Sequence, residues 1–260
     1  MYEPLISLHS IENRPIGNLA ESWEIGEDQM SFTFKIREEA TWSDGNPITA
    51  EDIQFFYDVI MNPKNLTSIF RVSYKRFERP VVVDRKTVFI RANTKHWNNF
   101  FQAGRMVALP AHLWRGKDFN KINFSFPVVS GPYQIGEVKK GRSISLLRRP
   151  DWWGRANLYN AGKYNFKKIL YRSMSDRNKA LEAFKKGVFD AYPIYTSSIW
   201  MKKTNFEQVR KGWVVKQAVY NKEPKGYQGL AVNLRKPKFQ DIRVRQALGS
   251  KGQVKVSAIT

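Results

Sequence analysis

The chain has 260 residues and carries 44 Lys and Arg against 23 Asp and Glu, a formal charge of +21 at pH 7. With 42% hydrophobic and 14% aromatic residues it is too apolar for a disordered chain, and no run approaches the roughly 18 apolar residues of a membrane span. The absence of cysteine excludes a disulfide scaffold, a thiol nucleophile and any Cys-ligated metal or iron–sulfur site.

The opening Met1-Tyr2-Glu3-Pro4-Leu5 lacks the positive n-region and apolar h-region of a secretory signal. Charge is distributed unevenly. Residues 1–60 hold three basic against twelve acidic side chains (−9), residues 61–120 twelve against three (+9), and residues 121–260 twenty-nine against eight (+21). The basic residues come in ones and twos, as in Arg148-Arg149, Lys167-Lys168, Lys185-Lys186 and Lys202-Lys203. Such spacing describes a solvated face; a basic nucleic-acid-binding protein is the alternative that the charge keeps open.

Residues 31–37 alternate, with Phe32, Phe34 and Ile36 on one side, and predict a half-buried strand. Ser43-Asp44-Gly45-Asn46-Pro47 is a turn. Thr49 then opens a helix whose first turn holds Glu51 and Asp52 at the positive end of the dipole. Ile53, Phe56, Tyr57 and Ile60 form its apolar stripe, and Asn62-Pro63 ends it. Residues 81–83 and 87–91 flank Asp84-Arg85-Lys86 as a hairpin, residues 97–106 suit a helix, and residues 115–129 are polar and irregular. Ser130-Gly131-Pro132-Tyr133 is a tight turn into strands 133–138 and 143–147, joined at Lys140-Gly141.

Beyond Tyr164 the pattern reads strand 166–172, a helix capped by Ser175 with Ala180, Leu181 and Phe184 inward, a stop at Gly187, and strand 188–191. That sequence of elements predicts a βαβ unit. Residues 211–220 and 229–234 supply two more strands. Asp241 caps a last helix with Val244, Ala247 and Leu248 inward, which Gly249-Ser250-Lys251-Gly252 interrupts as in a truncated chain. Residues 249–260 carry no core-forming pattern. The mixture predicts an α/β protein.

Catalytic and cofactor motifs are missing. His9, His96 and His112 share no metal-ligand spacing, and no Walker loop, Gly-x-Gly-x-x-Gly, His-Glu-x-x-His or Gly-x-Ser-x-Gly occurs. The glycine turns at Gly45 and Gly131 run into Asn46-Pro47 and Pro132, and proline has no N–H to offer a phosphate. Asp44, Glu51 and Asp52 suit a turn and a helix N-terminus better than an acid/base pair. No metal, no cofactor and no enzymatic activity are expected. Aromatics near turns and strand ends (Trp152, Trp153, Tyr192, Tyr195, Trp200, Tyr220 and Tyr227) suit a wet, adaptable pocket instead.

Several segments carry a combined signal by their order and spacing. They are Leu19-Ala20-Glu21-Ser22-Trp23, the strand 32–37, and Trp42-Ser43-Asp44-Gly45-Asn46-Pro47-Ile48-Thr49-Ala50-Glu51-Asp52. Next come Ser130-Gly131-Pro132-Tyr133, Arg149-Pro150-Asp151-Trp152-Trp153-Gly154, and the helix 180–186 with Gly187-Val188-Phe189-Asp190. Asn233-Leu234-Arg235-Lys236-Pro237 running into Asp241-Ile242-Arg243-Val244-Arg245-Gln246-Ala247-Leu248 completes the set. Over residues 1 to about 248 the chain thereby resembles the family 5 extracellular solute-binding proteins, the peptide-binding components of bacterial ABC importers. Trp153-Gly154-Arg155, residues 160–166 and Gly226-Tyr227-Gln228-Gly229 look like the subfamily linked to oligopeptide and microcin C uptake.

The resemblance implies a type II periplasmic-binding-protein lobe with an extra α+β subdomain, truncated before a second lobe. Residues 1–129 would be mainly the extra subdomain, 130–248 the core of the first lobe up to the hinge approach, and 249–260 an atypical tail. It implies a periplasmic location, an oligopeptide ligand, ABC permease subunits as partners, no nucleic acid, and a monomer when complete. Tyr192, Tyr195, Ser197, Tyr227 and Gln228 would contact peptide, while Ser130, Gly131 and Tyr133 would form a turn that positions the lobe.

Overall fold

In the computed structural model, which describes residues 2–121, 128–218, 220, 229–250 and 255–259, the first strands β1 (Ile6–Leu8) and β2 (Pro15–Gly17) pair antiparallel. Next come β3 (Ala20–Ile25) and β4 (Ser31–Ile36), the strand that the alternation predicts. Phe32, Phe34 and Ile36 are all buried, as a two-residue period on a half-covered sheet requires. Helix α1 (Ala50–Met61) follows, with Ile53, Tyr57 and Ile60 buried and the Tyr57 hydroxyl donating to the Phe77 carbonyl at 2.6 Å. Its start is closed by Asp52, whose carboxylate accepts from the Thr49 N–H at 2.9 Å, the Trp42 indole at 3.2 Å and the Ala111 N–H at 2.9 Å. Burial pushes the Asp52 carboxyl above its ordinary pKa while these three donors oppose the shift. It is a cap, as the sequence indicates.

Helix α2 (Ser68–Tyr74) was not legible, because its seven residues carry two β-branched side chains and its N-cap Thr67 makes no side-chain cap bond. The hairpin β5 (Val81–Val82) and β6 (Thr87–Arg91) pairs antiparallel as expected and completes a sheet ordered β3-β4-β6-β5. Phe34 lies opposite Val88 and Phe32 opposite Ile90. Lys86 in the hairpin turn is buried, its amine donating to the carbonyls of Arg37, Glu38 and Ile48 at 3.0, 3.2 and 2.9 Å. Helix α3 (Asn99–Gly104) lays Phe100 flat on Phe34, with ring centroids 6.1 Å apart. The one-turn helix α4 (Ala111–Trp114) follows. These elements share one apolar core that includes Trp42, Tyr74, Phe77 and Met106.

Strands β7 (Tyr133–Lys139), β8 (Ser143–Arg148) and β9 (Lys168–Arg172) form a second antiparallel sheet in that order. Helix α5 (Arg177–Lys185) follows, but Asp176 rather than Ser175 is its cap, accepting from the Lys179 N–H at 2.8 Å. Leu181 is buried beneath it, and Ala180 and Phe184 are half-buried. Gly187 ends it at φ +74. Nothing lies within 4 Å of a Cβ built there, so Gly187→Ala meets only the left-handed backbone penalty. We expect a loss of about 1 kcal/mol in a urea unfolding titration.

The expected strand 188–191 does not form, and with it the βαβ unit at 166–191. The Val188 N–H closes the helix end by donating to the Ala183 carbonyl at 3.0 Å, and Val188 is exposed. Helices α6 (Ser197–Lys202) and α7 (Glu207–Arg210) come next. The expected strand 211–220 is likewise absent over 211–218. Gly212 turns at φ +74, and the Trp213 and Val214 N–H groups both donate back to the Gln208 carbonyl at 2.9 and 3.1 Å. In both places the chain spends its first free donors on a helix end instead of a ladder.

The chain divides into two compact units, Met1–Tyr220 and Asn221–Thr260. In the second, β10 (Gly229–Asn233) is the expected strand, and α8 (Ile242–Ser250) begins with Asp241 accepting from the Arg243 N–H at 2.8 Å. The helix continues through Gly249, and Val244, Ala247 and Leu248 are exposed rather than inward. The tail, where alternation gives no core pattern, supplies β11 (Lys255–Ile259), which pairs parallel with β10. A β–helix–β crossover therefore exists here, not at 166–191. A two-stranded sheet offers too little surface to cover a helix stripe.

Candidate functional site

Between α5 and α6 the chain runs outside helix and strand through Tyr192-Pro193-Ile194-Tyr195-Thr196, with Thr196 extended. Pro193 fixes its own φ, removes a donor, and drives Tyr192 toward extended backbone. Thr196 then caps α6, its carbonyl accepting from the Ile199 and Trp200 N–H groups at 3.1 and 3.0 Å. This segment, with Ile199, lines a cleft of about 290 Å³.

The two tyrosines have different settings. Tyr192 stacks on Phe184 of α5, with centroids 5.6 Å apart and planes 24° apart, and Phe184 meets Phe206 edge-on at 6.2 Å. That stack ties one wall to the helix that buries Leu181. Tyr195 is 94% exposed. Ser197 is exposed at the first position of α6. Cations sit over the neighbouring aromatics: Lys216 lies 4.2 Å from the Trp200 ring and donates to the Trp200 carbonyl at 2.9 Å, and Lys185 lies 5.8 Å from the Phe206 ring. The structure thus brings Tyr192 and Tyr195 to one cleft with Ser197 beside it. Tyr227 and Gln228 lie outside the described residues.

Ser130, Gly131 and Tyr133 belong to a buried junction. The fully buried Ser130 accepts from the Glu3 N–H at 2.7 Å, and its carbonyl accepts from the indoles of Trp152 and Trp153 at 3.1 and 3.0 Å. The Tyr133 hydroxyl donates to the Phe166 carbonyl at 2.9 Å. Arg149 binds the turn together, donating to the carbonyls of Val129 at 3.2 Å, Gly131 at 3.4 Å and Trp42 at 3.3 Å. It also reaches the Asp151 carboxylate at 3.2 Å and holds that carboxyl below its ordinary pKa. Burial raises the carboxyl of Glu3 and the phenol of Tyr164 around the same junction. Residue-level reading gives Arg149 no role, because a lone arginine beside a strand end has the signature of a surface residue.

The His112 ring and the Asp44 carboxylate meet at 2.8 Å, an exposed pair joining α4 to the turn after Trp42. Among the described residues no group of three His, Cys, Asp or Glu side chains could hold a metal ion, and no helix is long and apolar enough to cross a membrane. A segment outside helix and strand that carries Tyr192 and Tyr195 three residues apart offers backbone groups and apolar surface to an extended ligand.

Comparison with known proteins agrees with this architecture. Residues 14–250 match the family model described as bacterial extracellular solute-binding proteins, family 5 Middle. The probable peptide-binding protein YejA of Agrobacterium fabrum is 30% identical over 242 residues, covering 89% of this chain and 39% of that protein. The peptidoglycan-binding protein YepA of the same organism is 30% identical over 260 residues, covering 95% of this chain and 42% of its own. The chain therefore spans less than half the length of these relatives. The solved structure of the binding protein MoaA from A. tumefaciens R10, in complex with mannopinic acid, superposes with a TM-score of 0.74 at 28% identity, covering 95% of this chain and 48% of that one. Family 5 proteins are the substrate-binding members of ABC importers, periplasmic or extracellular in bacteria, and share the type II periplasmic-binding-protein fold. With its mixed sheets and helices and a match across residues 14–250, this chain belongs to the bacterial extracellular solute-binding proteins of family 5.

Proposed function

We propose that the chain is part of a periplasmic receptor that captures oligopeptides between two lobes and delivers them to an ABC permease. In this reading residues 1–129 are mainly the extra subdomain and 130–248 the core of the first lobe, with residues 249–260 a tail. The observation that carries it is the cleft lined by Tyr192, Pro193, Ile194, Tyr195, Thr196 and Ile199. Aromatic rings around extended backbone accept a peptide through its main chain and leave room for varied side chains. Names of relatives support it: one is a probable peptide-binding protein and another a peptidoglycan-binding protein. Binding that touches both lobes favours the closed receptor, and closure is the state a permease can recognise.

The charge of +21 favours a second reading, nucleic-acid binding, which predicts a steep fall of affinity with salt. A titration with mixed short peptides and with duplex DNA at two salt concentrations separates the two. Saturable peptide binding that changes little with salt is expected. Tyr195→Ala should weaken it about tenfold, the loss of one aromatic contact, and leave thermal unfolding unchanged because the side chain is exposed. Salt-sensitive DNA binding without peptide binding would overturn the peptide reading.

A further inference from the structure

Residues 61–77 contain four basic side chains, Lys64, Arg71, Lys75 and Arg76, and no acidic one. Within this stretch Leu66, Ile69, Phe70 and Val72 are 86, 77, 57 and 62% exposed. Four large apolar side chains within seven residues, all more than half exposed, are far from the scattered single exposures of an ordinary surface.

The fold does not need that face. Helix α2 is held from its other side, where Tyr74 is buried edge-on against Phe56 with centroids 5.2 Å apart. Arg71 also turns inward, donating to the carbonyls of Ile60, Asn62 and Asn65 at 3.2, 2.8 and 3.2 Å. Those bonds satisfy the end of α1 and dock α2 upon it. The apolar side chains are left outward. Asn120 donates to the Lys64 carbonyl at 2.7 Å and accepts from the Leu66 N–H at 2.9 Å, which brings the exposed Lys121 alongside Lys64. Lys75 is exposed at the other end.

We propose that this turn, residues 64–75, is a docking surface for a lipid bilayer with anionic headgroups: Leu66, Ile69, Phe70 and Val72 enter the interface while Lys64, Lys75 and Lys121 meet phosphates. Two features select lipid over protein. Four protruding side chains, three on the short helix α2 and Leu66 just before it, cover far less than the ~800 Å² per partner of a stable protein interface. Large apolar residues flanked by Lys64, Lys75 and Lys121, with no acidic residue in the stretch 61–77 and Asp118 beside Asn120 outweighed three to one, are the pattern of an interfacial helix.

The chain has no cysteine, so a single introduced thiol reports one position. Ile69→Cys and, as control, Lys139→Cys on β7 carry an environment-sensitive fluorophore and meet vesicles of phosphatidylcholine with or without about 30% phosphatidylglycerol. Only the label at position 69 should shift to the blue, brighten about twofold and keep part of its response at about 0.5 M NaCl, where surface charge attraction is screened. The double variant Ile69→Ser/Phe70→Ser should lower vesicle partition about tenfold by losing buried apolar groups, with thermal unfolding unchanged. Equal responses at both labels, complete loss in salt, or indifference to the serines would mean general attraction by a +21 chain and would overturn the proposal. Absence of any vesicle response would overturn it, and a response at position 69 to polyglutamate alone would overturn it in favour of an acidic protein partner.

Discussion

Arg149→Ala is expected to destabilise the chain by about 3–4 kcal/mol. Arg149 is 3% exposed, and its guanidinium donates to three backbone carbonyls, those of Trp42, Val129 and Gly131. Two of these acceptors flank the Ser130 turn and the third lies in the segment before α1. Alanine removes their donors and leaves a cavity, so both desolvation and packing are lost. Arg149→Met separates the two terms: it refills the volume, and the remaining loss reports the orphaned carbonyls alone. The Nε atom meets no acceptor among the described residues, so the arginine already carries one unmade bond. Urea titration gives the magnitudes, and limited proteolysis near residues 128–133 should detect the loosened turn first. If Arg149→Ala unfolds at the parent's midpoint, the arginine does not hold the junction.

Asp52→Ala should cost about 3 kcal/mol, since three N–H donors lose one acceptor group. Thr49 is a cap position, Trp42 a fully buried core ring, and Ala111 the start of α4, so the carboxylate joins three elements. Asp52→Asn retains one acceptor oxygen but turns an amine toward another donor, and about half of the loss should remain. Circular dichroism melting of the two variants checks the order. Equal melting of Asp52→Asn and the parent would show that the second oxygen carries nothing.

The family was legible in the sequence because its segments are local patterns in a fixed order. The cleft was legible only in part. Tyr192 and Tyr195 were expected near a ligand and meet at one concavity. The expectation placed them after a strand end, yet residues 188–191 form no strand, and what fixes Tyr192 is its stack on Phe184. Arg149 stands at the head of the Arg149-Pro150-Asp151-Trp152-Trp153-Gly154 segment, but nothing in its neighbours' periodicity marks a side chain that crosses to carbonyls as distant in sequence as Trp42.

By itself the sequence determined what depends on neighbours a few residues away. The alternation of β4, the stripe and cap of α1, the hairpin bends and the Gly187 stop all follow from side-chain period and backbone freedom. Tertiary structure alone decided which extended segments become strands, because a ladder needs a partner from elsewhere in the chain. Residues 188–191 and 211–218 have strand-like composition and pair with no strand among the described residues, while the unpromising 255–259 finds β10. It also decided which charges are buried. Arg149, Lys86 and Asp52 look like surface residues until acceptors and donors from distant segments surround them, since burial of a charge is settled by what folds around it.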